Sequence, residues 1–259
     1  MKNLAIIQAR MGASRLPGKV LKKLAGKPVL WHVITRVKTS VKIDEVVVAT
    51  TFKKEDLELV KYCAHMGIRV FMGSENDVLD RFYQVAKLFE PENVVRITAD
   101  CPLHDGRIID EVIKKHEQDG NDYTSNTLEE TYPDGLDCEI MKFPVLREAW
   151  KYADMQSERE HVTQYIIKKE ELKKGCLRNI VNKGNQRWTL DTENDYRFIT
   201  AVYDELYAKN PSFGSAEVYQ LLEKKPEIAL LNHDSIRNAG LLKSLREDKQ
   251  VGRLRLDYE

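Results

Sequence analysis

Leu4-Ala5-Ile6-Ile7-Gln8-Ala9-Arg10-Met11-Gly12-Ala13-Ser14-Arg15-Leu16-Pro17-Gly18-Lys19 is the stretch on which the fold turns. Its opening apolar run, Leu4 to Ala9, has no polar alternation and reads as a strand buried on both faces. Residues 10–27, rich in glycine, proline and basic side chains, read as a loop. Pro28 suits the first turn of a helix, and Val29, Leu30, Val33, Ile34 and Val37 follow at helical spacing. Working outward, Val46 to Ala49 is a second strand and Leu57, Val60, Cys63 and Ala64 mark a second helix. Ile68 to Met72 and Val94 to Ala99 are further strands, separated by a helix carrying Val78, Leu79, Phe82, Val85, Ala86 and Phe89. Four strand–helix alternations in a hundred residues predict an α/β fold with a mostly parallel sheet and helices on both faces. In such sheets ligands bind beyond the carboxyl ends of the strands. The 10–19 segment and Asp100 both fall there.

The second half is less regular. Asn121 to Asp137 holds turn residues, Cys138 to Phe143 suits a strand, and 144–173 reads as helical and highly charged. Arg187 to Leu190 reads as a short strand running into Asp191, followed by helices over Glu193–Ala208 and Glu217–Leu222. The division expected is a domain over 1–231, with a subregion at about 121–175, and a polar tail over 232–259.

The chain has 259 residues, 41 Lys+Arg against 41 Asp+Glu, so it lacks the basic excess of a nucleic-acid binder. No apolar run reaches the roughly 18 residues of a membrane span, and the N-terminus lacks the order of a secretory signal. A cytoplasmic protein is expected, with no membrane partner. Cys63, Cys101, Cys138 and Cys176 are widely spaced and read as reduced thiols.

The loop after the first strand carries Arg10, Arg15 and Lys19, with Gly12, Ser14 and Gly18 between them. Glycine lets backbone N–H groups approach phosphate oxygens, arginine forks onto two oxygens, and lysine adds a compact charge. It is not a Walker A loop. Five residues separate the glycines, and Val20 stands where Ser or Thr would hold magnesium. By spacing alone the segment suits either a phosphate cradle or a basic surface loop. Asp100 and Asp191 each follow a predicted strand, and each alone reads equally as a cap or loop-start carboxylate. Together, on triphosphate oxygens, they suit magnesium, which takes hard oxygen ligands and often one or two carboxylates.

Several ordered motifs sharpen this. Arg10-Met-Gly-Ala-Ser14-Arg15-Leu-Pro17-Gly18-Lys19 is followed by Gly26-Lys27-Pro28, Gly73-Ser-Glu-Asn-Asp77-Val-Leu-Asp80-Arg81 and Thr98-Ala-Asp100-Cys-Pro102-Leu103. Glu158-Arg-Glu160-His161-Val-Thr163 and Trp188-Thr-Leu-Asp191-Thr-Glu-Asn-Asp195 complete the series. In this order, over roughly residues 4–200, the chain resembles the sugar-acid cytidylyltransferases, the 3-deoxy-manno-octulosonate and acylneuraminate enzymes among them. It is most similar to their spore-coat polysaccharide branch. The resemblance implies a three-layer nucleotidyltransferase (GT-A-like) fold with a mostly parallel mixed sheet and a small inserted dimerisation and acceptor subregion. It implies CTP and a small anionic acceptor as substrates, Mg2+ as cofactor, a homodimer, and a CMP-sugar product for surface polysaccharide.

Residue by residue, the resemblance makes Arg10, Lys19, Asp100 and Asp191 catalytic, the two aspartates holding the metal. It gives Gln8, Ala9, Arg10, Gly12, Ser14, Arg15, Lys19, Ser74, Arg81 and Asp100 to the nucleotide. Asp137, Glu139, Glu160 and His161 are expected on the acceptor side. Arg237 and Asn238 are candidates for a tail folding over the site. Two other acceptor chemistries fit the same residues: a phosphorylated non-sugar acceptor giving a CDP product, and glycosyl transfer from a nucleotide sugar. A non-catalytic nucleotide sensor is the reading from another class.

Overall fold

Alternation along the buried strands sets the architecture. In the computed structural model, which describes residues 1–233, 237 and 239–256, the first strand β1 (Asn3–Gln8) sends Ala5 and Ile7 to one face and Leu4 and Ile6 to the other. Successive strand side chains point to opposite faces, so an unbroken apolar run needs a core on each side. A two-stranded hairpin, β2 (Lys23–Leu24) and β3 (Lys27–Pro28), leads into α1 (Val29–Val37). The alternation continues with β4 (Glu45–Thr51), α2 (Leu57–His65), β5 (Arg69–Gly73), α3 (Val78–Phe89), β6 (Asn93–Thr98) and α4 (Gly106–Asp119). β7 (Tyr123–Ser125), β8 (Glu139–Lys142), three short helices α5 (Phe143–Tyr152), α6 (Gln156–His161) and α7 (Gln164–Lys168), and β9 (Lys174–Cys176) complete the sheet region. The chain then runs through α8 (Glu193–Leu206), α9 (Ser215–Lys224), α10 (Pro226–Ala229) and α11 (Ala239–Leu256).

The seven-stranded sheet has the order β5-β4-β1-β6-β8-β7-β9. β5, β4, β1 and β6 are parallel, β8 runs antiparallel to both β6 and β7, and β9 returns parallel to β7. The fold is therefore mixed α/β with a mostly parallel sheet. One core packs Ala5, Ile7, Val46, Val48, Val95 and Ile97 under α1, α4 and α8. The other packs Leu4, Ile6, Val47, Ala49 and Val94 under α3 and α5. From β1 the chain builds outward through β4 and β5, then crosses back to lay β6 on the other side of β1. That reversal is a topological switch point, where side chains at the carboxyl ends of β1 and β6 face an open crevice.

The structure departs from the sequence reading in three places. Arg187–Leu190 is extended but not a strand; an isolated β-bridge pairs Arg187 with Asp134. Residues 144–173 break into three helices: the chain turns extended at Ala153 after α5, and Val162 adopts φ 64° between α6 and α7, a conformation unusual for a β-branched residue. The tail continues as α11, which packs on α6. Asn238 lies outside the described residues.

Candidate active site

The loop after β1 is wound tightly rather than spread on the surface. Met11 accepts from the backbone N–H groups of Ala13 (2.9 Å) and Gly18 (3.0 Å), and its own N–H donates to the buried carboxylate of Asp56 (2.7 Å). Gly18 sits in the left-handed region at φ 68°, which favours glycine, and opens a single helical turn over Lys19–Leu21. This turn points Lys19 inward, and its side chain is only 11% exposed.

Two distant segments meet it there. Asp100 follows β6. Asp191 is brought in by the extended 187–191 segment, where the Leu190 N–H donates to the Asp100 carbonyl (2.8 Å). Behind this contact Trp188 is fully buried against Tyr219, and its backbone N–H donates to the Asp134 carbonyl (2.5 Å). Thr192 and Asp195 form a reciprocal cap at the start of α8, and Asp195 also accepts from the Asp191 N–H (3.0 Å). The cap therefore fixes the backbone of the residue that precedes it.

Lys19 Nζ donates to Asp100 Oδ2 and to Asp191 Oδ1, each at 2.7 Å. The two carboxylates are thus within about twice that distance of each other. Burial opposes the charges of both Lys19 and Asp100, but their pairing outweighs it: the lysine is raised and the Asp100 carboxyl lies well below the usual carboxylate range. The second oxygen of Asp191 accepts from Arg187 (2.8 Å) and lies 3.1 Å from Arg15. Arg187 is itself clamped by Asp134 (2.6 Å) and Asp195 (3.1 Å). Sequence reasoning did not single out Arg187, although its position directly ahead of the Trp188–Asp195 motif, four residues before Asp191, is the signal that could have found it.

These groups line one end of a cleft of about 800 Å³. Gln8, Ala9, Arg10, Ser14, Arg15, Lys19, Arg81 and Asp100 all border it. Gly12 and Ser74 do not; Gly12 lies near Glu75, and the Ser74 hydroxyl accepts from the Asp77 N–H (3.2 Å) ahead of α3. Arg10 stands 3.6 Å from Glu75. Arg81 is 2% exposed, and its Nε and Nη1 have no hydrogen-bond partner. Burial, with Arg10 nearby, pushes its guanidinium down to about 10. A buried guanidinium with unpaired donors is costly unless an anion completes it. Gly73 makes room for its stem, since a Cβ there would lie 2.7 Å from Arg81 Cγ.

The same cleft is lined by Asp137, Glu139, Glu160 and His161 and by Arg237 of the tail, with Arg96 and Thr163 added by the structure. Glu139 is 5% exposed and already committed: it pairs with Arg96 and accepts from Tyr123 (2.5 Å) and Thr163 (2.7 Å). Asp137 keeps 29% of its side chain open, 3.7 Å from Arg237, while burial and neighbouring Asp134 push its carboxyl up. Ser244 of α11 donates to Glu160 (2.8 Å) and lies 3.1 Å from His161 Nε2. Arg159, in the same motif, ties α6 to the Asp77 cap of α3 and to the Trp150 carbonyl. His104 is buried at 1% exposure and is not among the residues that line the cleft.

The fit to a divalent cation is visible in the donor set. Two aspartate oxygens already share one cation, the Lys19 ammonium, and oxygen pairs of this kind suit magnesium or manganese. Among the described residues no group of three or more His, Cys, Asp or Glu side chains is arranged to hold a metal, so further ligands would have to come from substrate or water.

A family model described as cytidylyltransferase matches residues 4–208. The spore coat polysaccharide biosynthesis protein SpsF of Bacillus subtilis is 34% identical over 234 residues, covering 87% of this chain and 96% of that protein. The structure of a cytidylyltransferase from Leptospira borgpetersenii superposes with a TM-score of 0.83 at 30% identity, over 88% of this chain and 97% of the other. CMP:2-keto-3-deoxy-manno-octonic acid synthetase, solved with CTP, shares the fold with a TM-score of 0.60 at 18% identity, over 79% and 99%.

Proposed function

This chain belongs to the cytidylyltransferase family, and on that premise we propose that it activates a sugar acid with CTP, releasing pyrophosphate and a CMP-sugar for surface polysaccharide. The observation that carries this reading is the convergence of Lys19, Asp100 and Asp191 at one end of a cleft whose rim is arginine-rich. In the reaction, the anomeric hydroxyl of the acceptor attacks the α-phosphorus of CTP. The bond from the α-phosphorus to the oxygen bridging to the β-phosphate breaks, pyrophosphate leaves with that oxygen, and the hydroxyl proton passes to solvent.

Positioning and charge stabilisation account for most of what a protein contributes to such a transfer. Arg10, Arg15 and Lys19 offset the β- and γ-phosphate charge, and Arg81 offers its unpaired donors to the nucleotide. Asp100 and Asp191 hold Mg2+. When bound, the ion supplies positive charge to the α-phosphate and orients the leaving group. Asp137, Glu160 and His161 face the acceptor, and Glu139 orients Arg96 beside it. In this reading residues 1–231 are the transferase domain, about 121–175 is its acceptor and dimer subregion, and 232–259 is a C-terminal tail. The enzyme is a cytoplasmic homodimer.

The test is a screen of CTP and Mg2+ with sugar acids and with phosphorylated acceptors, read as pyrophosphate release. Release with sugar acids alone supports the assignment. Release only with phosphorylated acceptors moves the function to CDP products. Consumption of a nucleotide sugar without pyrophosphate points to glycosyl transfer, and tight CTP binding with no turnover across the panel removes catalysis.

A further inference from the structure

We infer that Lys19 is a resident counter-cation, keeping the Asp100–Asp191 pair closed to a divalent metal until a bound triphosphate draws its ammonium away. The inference rests on the nucleotidyltransferase reading above and concerns the order in which that site fills.

The ammonium lies between the two carboxylates, 2.7 Å from an oxygen of each, on a side chain that is 11% exposed. These are the oxygens a metal would need. Those that remain do not offer a second shared site, because the other oxygen of Asp191 is held by two arginines. Asp191 Oδ2 faces Arg187 at 2.8 Å and Arg15 at 3.1 Å, and Asp100 Oδ1 has the Cys101 thiol at 3.5 Å. A divalent ion and an ammonium cannot share the gap, because like charges at such separation repel strongly in a partly buried site. Metal entry therefore requires the ammonium to leave.

Leaving without a new partner is unfavourable. The lysine would give up two charge-assisted hydrogen bonds while its stem stays buried. A triphosphate changes the balance twice over. Its oxygens accept from the ammonium, whose flexible four-carbon stem follows a single turn opened by Gly18. The same phosphates supply the metal ligands that two aspartates alone do not. Metal and nucleotide then bind with positive coupling, and the coupling is reciprocal by linkage.

The test reads binding, not turnover. Mn2+ is titrated into the full chain without nucleotide, followed by electron paramagnetic resonance of free Mn2+, and then with CTP present, corrected for the Mn2+–CTP complex. CTP is titrated separately in EDTA by calorimetry. For the wild-type chain, CTP should tighten Mn2+ at least about fivefold, the lower end of the roughly 5- to 150-fold usual for coupled sites. Lys19→Met should bind Mn2+ alone at least about tenfold more tightly than wild type and bind metal-free CTP more weakly. Equal Mn2+ affinity for wild type with and without CTP overturns the inference, and this arm stands even if Lys19→Met does not fold. So does a folded Lys19→Met chain with no gain in nucleotide-free Mn2+ binding. Wild-type chain that binds no CTP with or without metal overturns the nucleotidyltransferase reading itself, a result distinct from the other two.

Discussion

The Lys19 ammonium donates to the Asp191 carboxylate over 2.7 Å although 172 positions separate them in the chain. That contact brings the loop after β1 against the segment entering α8, and Asp100 completes it from the end of β6. Removing the carboxylate from Asp100 should leave this frame standing and disable the chemistry. Asp100→Asn is expected to lower pyrophosphate release by about 100- to 1000-fold, the usual loss when one electrostatic stabiliser of a transition state is removed. Circular dichroism should be unchanged. A folded variant with near-normal turnover takes Asp100 out of the mechanism.

Arg187 should matter first to stability. Its side chain, 8% exposed, contacts Asp134, Asp191 and Asp195, and Asp195 is fully buried. Arg187→Met removes the cation paired with Asp195 and Asp134, while Asp191 keeps Lys19 and Arg15, and breaking a buried pair in this way costs about 3–5 kcal/mol. Denaturant unfolding measures it. A loss below about 1 kcal/mol would show that the carboxylates re-pair or protonate cheaply.

Gly135 and Gly120 offer a matched comparison of backbone strain. Both have positive φ, +115° and +63°. A Cβ on Gly120 meets nothing within 4 Å, whereas one on Gly135 would lie 2.5 Å from the Trp188 carbonyl carbon and 2.6 Å from the Thr189 nitrogen. Gly120→Ala should cost about 1–2 kcal/mol, the penalty of the left-handed conformation alone. Gly135→Ala should cost more and also reduce turnover, because it pushes the Trp188–Asp191 segment away from Asp134. Equal melting temperatures for the two variants would contradict this.

Mild acid should weaken the fold through buried histidines. Burial pushes His116 and His32 from an ordinary value near 6.5 down to about 4. His116 lies 3.1 Å from the Thr124 hydroxyl and 3.3 Å from Asn93 Oδ1, a network the neutral ring satisfies. Between pH 6.5 and about 4 the unfolded chain binds more protons than the folded one, so stability falls as pH falls. His116 alone should account for a loss on the order of 1–3 kcal/mol across that window. His116→Gln should flatten the pH dependence of unfolding there. An unchanged slope would mean that this histidine protonates without cost in the folded state.

Much of the frame was legible in the sequence because its signals are local. The unbroken apolar run at Leu4–Ile7, the strand at Val46–Ala49 and the apolar spacing of α3 each report burial through periodicity. Burial on two faces requires the layered sheet that is observed. The second half was less legible. β7 and β9 are three residues each, too short for a period, and Val162 ends α6 with a backbone conformation that its side chain does not advertise.

What the sequence determined by itself was the α/β alternation, the cationic loop placed after a buried strand, and two aspartates each at a turn entering the crevice. What only the tertiary structure decided was which charges face one another. Lys19 joins Asp100 and Asp191, Arg187 holds Asp191 from behind, Glu139 is committed to Arg96, and Arg81 keeps donors without partners. The reason is physical. Periodicity records whether a side chain is buried, a property of its own neighbourhood. An ion pair depends on the positions of two chain segments fixed by everything packed between them, and no local pattern encodes that distance.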